Sequence, residues 1–406
     1  MTPLDRFARL RATQETAWQM APAIRAIYKR AGMTPADLRT AQDMTRLPVT
    51  SKDELLALQR SHPPFGGFLA ARVEDIAHIF VSPGPLNEPH LRSDRDGHGF
   101  ARVFQIAGVG PGDRVLNTWS YHLVPAGLLL DQGIVACGAT VIPAGTGGAE
   151  LQAKIVLDLG VTCICASTAF FMTLVETLEG LGHELPRAWK VRSALLGGEM
   201  GDWMGKRRRL EERYGIRTFS TYATGDFGLI GYEQMGQEGY AIHEDRLVQI
   251  CDPVTGLPVA AGTPGQIVVT TLSPGWPLIR FGTGDVACAL ETGDDGCVSR
   301  IGQIQGRVGQ AVKAREIFIY PRQLEELAIR IPGVRAAQAV ITCPGNREEV
   351  TLRLAVEPSA RRDSLAQTVA QEFQTLSRLK PDHFEWLTAD ALAAETVLVV
   401  DRKSGT

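Results

Sequence analysis

Four stretches of the chain set acids, an aromatic and arginines beside glycines. "STYATGDFGLIGYE" (220–233) places Tyr222, the small residues Ala223 and Thr224, and Asp226 directly after an apolar run. "PLIRFGTGDVA" (277–287) puts Arg280 and Asp285 on either side of a Gly-rich turn, and "LLGGE" (195–199) ends an apolar run in Gly198 and Glu199. "GRVGQAVKAREIFIYPRQLEE" (306–326) follows Arg307 with a Gly-rich hinge, a strand and a Pro-started helix. A fifth stretch, "VSPGPLNEPH" (81–90), has the position of a phosphate loop, where a strand gives way to Ser82 and Gly84. Pro83, Pro85 and Pro89 remove backbone donors from it, no Lys is present, and Glu88 adds a negative charge. Taken singly, Asp285 reads equally as a turn residue and Asp226 as the cap of a following helix.

The elements that must position these residues follow from periodicity. Residues 1–60 read as helices that brace the fold, with Ser51 and Glu54 in "TSKDELLAL" as a capping box. From 76 to 222 strands ("IAHIFV", "DRVLNTW", "ATVIPAG", "VTCICAS", "VRSALLGG", "IRTFSTY") alternate with helices at 121–137, 149–159, 168–179 and 202–214. That alternation predicts α/β layers around a largely parallel sheet. Ligands of such sheets bind beyond the carboxyl ends of the strands, at 82–90, 119–122, 143–148, 166–168, 197–200 and 222–228. From 240 to 305 short strands with Gly/Pro turns predict a β-rich antiparallel subdomain. Beyond it a strand, helix, two strands, helix and final strand predict a small α+β domain. The expected division is 1–305, a large N-terminal domain, and 306–406, a small mobile C-terminal one.

The 406 residues carry 42 Lys and Arg against 45 Asp and Glu, so no basic footprint for nucleic acid is expected, and Lys206-Arg207-Arg208-Arg209 reads as one solvated helical turn. No apolar run is long enough to span a membrane and no signal peptide is evident, which predicts a cytoplasmic protein with a small-molecule substrate. The seven Cys form no CxxC pair. Cys163 and Cys165 share one face of a strand and are read as small hydrophobes rather than metal ligands.

In this order, the four stretches resemble the adenylate-forming superfamily of acyl-CoA synthetases, and within it the phenylacetate–CoA ligase branch. The resemblance runs from "LPVTSKDEL" (47–55) to "YPRQLEEL" (320–327) and takes in "ATVIPAG", "EERYGI" and "CDPVTGLPV". It implies an enzyme that activates a carboxylic acid, aromatic in this branch, with ATP as an acyl-adenylate and transfers it to CoA, with Mg²⁺ present and a homodimer common. Tyr222 would pack on adenine, with Gly198, Glu199, Ala223 and Thr224 bordering the nucleotide. Asp226 would hold Mg²⁺ or orient phosphate, in a position where relatives carry Glu. Asp285 would accept hydrogen bonds from the ribose hydroxyls, and Arg307 would contact ribose or phosphate, while Ser82 and Gly84 remain of the phosphate loop. "TWSYHLVPAG" (118–127) matches a segment that helps form the acid pocket, so Tyr121 and His122 would face the substrate. The alternative for Tyr121 is an aromatic packed in the core at a helix start.

Departures from the family pattern fall on phosphate handling. The loop at 81–90 is poor in donors, and the C-terminal Lys of relatives has no match: Thr406, or Thr396 or Val397, stands in its place, and Lys403 fits neither alignment. Val308-Gly309 replaces the hinge acid. Gln234 and Ala241 occupy positions where some relatives have zinc ligands, which predicts no zinc. An alternative expectation is therefore a non-adenylating homologue that binds AMP or acyl-CoA-type ligands, or transfers a preactivated acyl group.

Overall fold

The computed structural model describes residues 3–403 apart from 83–84, 198–202, 264, 305, 309–311, 316, 320, 345–346, 359–361, 378 and 393–396. The chain divides into two compact units, Met1–Gly306 and Arg307–Thr406.

The first unit opens with helices α1 (Pro3–Met20), α2 (Pro22–Arg30), α3 (Ala41–Met44) and α4 (Lys52–Ser61). Ser51 starts α4 as expected, its Oγ accepting from the Glu54 N–H at 3.1 Å. Strand β1 (Ile76–Ser82) then pairs with β2 (Leu86–Leu91) as an antiparallel hairpin with Ser82 opposite Leu86. This corrects one expectation: "IAHIFV" is a strand, but it stands outside the parallel sheet.

That sheet comprises β3 (Arg114–Asn117), β4 (Thr140–Pro143), β5 (Cys163–Ser167), β6 (Ser193–Gly197) and β7 (Arg217–Phe219), all parallel in the order β4-β3-β5-β6-β7. Both faces are covered, as parallel sheets require. Along β5 the period of two sends Cys163 and Cys165 toward α5 (Phe100–Ile106) and α6 (Ala126–Ala136). It sends Ile164 and Ala166 toward α7 (Ala149–Asp158), α8 (Thr168–Gly180) and α9 (Trp203–Tyr214). The two cysteines are fully buried among apolar side chains.

The segment "IRTFSTY" is not one strand. It breaks at Ser220 into β7 and β8 (Thr221–Thr224), which belongs to another sheet. Glu233 explains the break: its carboxylate accepts from the Ser220 N–H at 2.9 Å, and its own N–H donates to the Ser220 carbonyl at 3.1 Å. Arg207, expected to be solvated, is buried and grips Glu233 bidentately at 2.8 and 2.9 Å, while Lys206, Arg208 and Arg209 are exposed.

β8 joins β9 (Gly228–Tyr232), β10 (Tyr240–Ile242), β11 (Arg246–Cys251), β12 (Gly265–Thr271), β13 (Phe281–Ala287), β14 (Ala289–Thr292) and β15 (Val298–Ile301) in an antiparallel sheet. The N-terminal helices pack on it, with Phe7, Leu10, Ile24 and Tyr28 in one cluster with Leu247, Ile267 and Phe281. The second unit holds helices α10 (Pro321–Arg330) and α11 (Arg362–Ser377) with a sheet in which Val334–Thr342 and Glu349–Val356 pair antiparallel. No described helix is long and apolar enough to cross a membrane.

Candidate active site

The β8–β9 hairpin and β13 bring Tyr222 and Asp285 together. Both are buried, and the Tyr222 hydroxyl lies 2.9 Å from Asp285 Oδ2 and 3.0 Å from Thr283 Oγ1. Thr283 Oγ1 also accepts from the Asp285 N–H at 3.1 Å, so Thr283 ties the Asp285 backbone to the same tyrosine hydroxyl that meets its carboxylate.

At the turn after β8 a second group forms. Asp226 is 5 % exposed, and Lys52 Nζ, from the first turn of α4, lies 2.7 Å from its Oδ2. Among the described residues, Asp226 Oδ1 is buried with no hydrogen-bond donor. Glu88 on β2 is the third member, accepting from Ser82 Oγ at 2.7 Å. A Cβ at Gly225 would come within 2.8 Å of Glu88 Oε1, so the absence of a side chain there lets hairpin and turn meet. Burial, and after it the charge of Asp226, push the Glu88 carboxyl up to about 8, with Ser82 and Lys52 opposing. Burial beside Asp226 thus favours the neutral form of the Glu88 carboxyl, against its reading as an added negative charge. No helix follows Asp226; the chain turns into β9.

Lys52 was not legible as a site residue. It sits in a stretch that reads only as a helix start, and its partner lies on a different element far along the chain. What holds it there is Arg280, which is not a ligand-facing residue. Arg280 is 1 % exposed and has a left-handed backbone (φ 44°). Its Nη1 donates to the carbonyls of Leu47 (2.6 Å), Thr45 (3.1 Å) and Met44 (3.3 Å), and its Nη2 donates to that of Gly256. Next to it, the Thr50 N–H donates to the Arg280 carbonyl at 2.9 Å and the Gly282 N–H to the Thr50 carbonyl at 2.9 Å. The strand that carries Asp285 thus sets the approach of Lys52.

Tyr121 and His122 lie in the loop before α6, which starts later than expected because Leu123 takes a left-handed conformation (φ 62°) and Pro125 precedes the first turn. Tyr121 is half-buried. Its hydroxyl accepts from Asn117 Nδ2 at 2.9 Å and donates to Asp131 Oδ2 at 2.9 Å. His122 is exposed. Ala223 is exposed on β8, and Thr224 Oγ1 is buried with no hydrogen-bond partner among the described residues. Gly84, Gly198 and Glu199 lie outside the described residues. Arg307 begins the second unit, where Lys403 pairs with Glu348 at 3.3 Å and Asp401 at 3.5 Å.

The phenylacetate-coenzyme A ligase of Thermus thermophilus is 29 % identical over 401 residues, spanning 92 % of this chain and 86 % of that protein. The Escherichia coli enzyme of the same name is 29 % identical over 385 residues, covering 92 % and 85 %. This chain is a homologue of the phenylacetate–CoA ligases. No family model matches it. The fold of this homologue is that of a 2-hydroxyisobutyryl-CoA ligase solved with 2-HIB-AMP and CoA, at TM-score 0.88 and 22 % identity, covering 98 % of this chain and 89 % of the other. An amide bond synthetase from Marinactinospora thermotolerans matches at TM-score 0.60 and 18 % identity over 81 % and 70 % of the two chains.

Proposed function

We propose that this homologue activates a carboxylic acid, aromatic in character, with ATP as an acyl-adenylate and passes the acyl group to CoA. The observation that carries the reading is similarity to phenylacetate–CoA ligases across 92 % of the chain. In this reading the Tyr222 ring supports adenine, Gly198, Glu199 and Ala223 border it, and Asp285 accepts from the ribose hydroxyls, which are both donors. Tyr121 walls the acid pocket with His122 at its rim, and Arg307 is assigned to ribose or phosphate. A carboxylate is a poor electrophile; adenylation turns one oxygen into a leaving group that the CoA thiol displaces.

The phosphates are served by Ser82, Gly84 and Thr224, and by two groups that local sequence does not reveal. Lys52 supplies the positive charge that the Pro-rich loop lacks, and Glu88, in its neutral form, adds no repulsion. Asp226 fits Mg²⁺: its Oδ1 is buried without a donor among the described residues, beside an ion-paired Oδ2. Bound there, Mg²⁺ would neutralise phosphate charge. We place the reaction in the cytoplasm. The test is acyl-CoA formation and pyrophosphate release from ATP, Mg²⁺ and CoA across a panel of aryl and alkyl carboxylic acids. Absence of both products across the panel would overturn the proposal.

One observation favours a second reading. Ser82 spends its hydroxyl on Glu88 at 2.7 Å, and Asp226 is already ion-paired, so the site suits a nucleoside monophosphate without a triphosphate. A homologue that binds AMP or acyl-CoA, or moves a preactivated acyl group, would bind AMP as tightly as Mg·ATP in calorimetry; the ligase would prefer Mg·ATP.

A further inference from the structure

Three side chains near the open end of the β1–β2 hairpin converge in a way that the nucleotide site does not use. His90 leaves the end of β2, and Asp94 and His98 follow in the loop before α5. Asp94 Oδ2 lies 3.0 Å from His90 Nε2 and 3.3 Å from His98 Nε2, and the three ligating atoms all lie within 4.8 Å of one another. Ligands held tetrahedrally at zinc distances stand about 3.3 Å apart. From this geometry we propose that His90, Asp94 and His98 form a site for one divalent transition-metal ion of the zinc type, held by two imidazoles and a carboxylate with a further position for solvent or ligand.

The surroundings are those of a metal centre rather than of a loop cap. A carboxylate that merely organised the loop would need only backbone donors. Asp94 has these, from the N–H groups of Asp96 (3.2 Å) and His98 (3.0 Å), yet both imidazoles also aim the same nitrogen at the same oxygen. The other ring nitrogen of His90 has a partner, with His78 Nδ1 3.2 Å from His90 Nδ1. With the proton on His90 Nδ1 donated to His78, the Nε2 lone pair is directed at the metal position; such outer hydrogen bonds fix the tautomer of a metal-ligating histidine.

The ligand set also runs from interior to surface. The side chains of His90, Asp94 and His98 are 1 %, 13 % and 25 % exposed, and His90 and Asp94 line a cavity of about 390 Å³ together with Arg92, Arg95 and Asp131. His98 holds a left-handed backbone (φ 54°), a conformation that costs energy in a non-glycine residue. A Cβ at Gly228 would come within 2.4 Å of the His98 Cβ, so the β9 backbone presses the imidazole into place. These residues differ from Gln234 and Ala241, the positions on which the expectation of no zinc was based.

The test uses full-length, tag-free protein stripped with a chelator, titrated calorimetrically with Zn²⁺ and, separately, followed by the visible spectrum of added Co²⁺. The expected result is one site per chain that is absent or at least 100-fold weaker in His98→Asn, a replacement whose short polar side chain tolerates the left-handed backbone. His78→Phe should weaken it roughly 10-fold through the outer hydrogen bond. The seven cysteines are the same in wild type and His98→Asn, so any Zn²⁺ they take up cancels and the difference between the two reads this site alone. Zinc isotherms of wild type that superimpose on those of both His98→Asn and Asp94→Asn, with folding confirmed by circular dichroism, would overturn the proposal. Preference for Mg²⁺ over Zn²⁺ would also overturn it.

Discussion

The Tyr222–Asp285 contact gives two opposed readings of Asp285 that one pair of variants separates. If Asp285 only anchors the tyrosine, Asp285→Asn and Tyr222→Phe break the same interaction. Both should then lower stability alike, by about 1.5–3 kcal/mol for a buried hydrogen bond to a charged group. If Asp285 holds a ribose, the variants diverge. A carboxylate accepts from both hydroxyls, whereas an amide at 285 offers one oxygen and turns a donor toward the other hydroxyl. Losing one charge-assisted bond and gaining one mismatch costs about 2–4 kcal/mol, a 30- to 1,000-fold rise in the Kd for AMP. Tyr222→Phe keeps the ring and the Thr283 hydroxyl that accepts from the Asp285 N–H, so AMP affinity should change less than about fivefold while stability falls. Titration calorimetry with AMP and denaturant unfolding of the same preparations supply both numbers. Equal destabilisation with unchanged AMP affinity in both variants would refute the ribose assignment.

Three further outcomes are expected. Glu88 titrates near 4.5 when unfolded and about 8 in place, so its contribution is fully present below pH 4.5 and is lost as pH rises toward and through 8. Glu88→Gln should therefore gain up to about 3 kcal/mol over wild type at pH 7 and almost nothing at pH 4.5; a gain independent of pH, measured by calorimetric unfolding, would contradict burial of a titrating acid. Lys52→Met leaves the Asp226 carboxylate buried without its cation and should cost about 3 kcal/mol, with a fall in pyrophosphate release beyond the loss of folded protein; unchanged stability in urea would exclude the ion pair. Arg280→Met strips donors from the carbonyls of Leu47, Thr45 and Gly256 and should lower stability by at least about 3 kcal/mol; a midpoint equal to wild type would show that the strut is dispensable.

The parallel sheet was legible because each strand is a short apolar run followed by a helical pattern and a polar turn, signals that lie within one window of sequence. Tyr222 and Asp285 stood out in the sequence as an aromatic directly after an apolar run and an acid after a Gly-rich turn, and the fold brings the two together. Pairings made across the chain were not. Nothing around Lys52 announces Asp226, nothing around Arg207 announces Glu233, and the protonation of Glu88 depends on a burial that only the assembled hairpin and turn create. The break at Ser220 belongs to the same class: its local pattern is a continuous strand, and a distant carboxylate interrupts it.

The Arg280 strut has a consequence for how the chain is made. Its acceptors at Met44 and Leu47 lie 236 and 233 residues upstream. At a synthesis rate of about 5–20 residues per second, the N-terminal segment waits roughly 10–50 s for its partner to be made. Through that interval the approach to Lys52 has no donor to close it, and the apolar faces of α1 and α2 have no sheet to cover. The first unit therefore cannot mature from its N-terminus outward. Its earliest residues are among the last to be locked, and a chain halted before residue 280 would present them to chaperones and proteases.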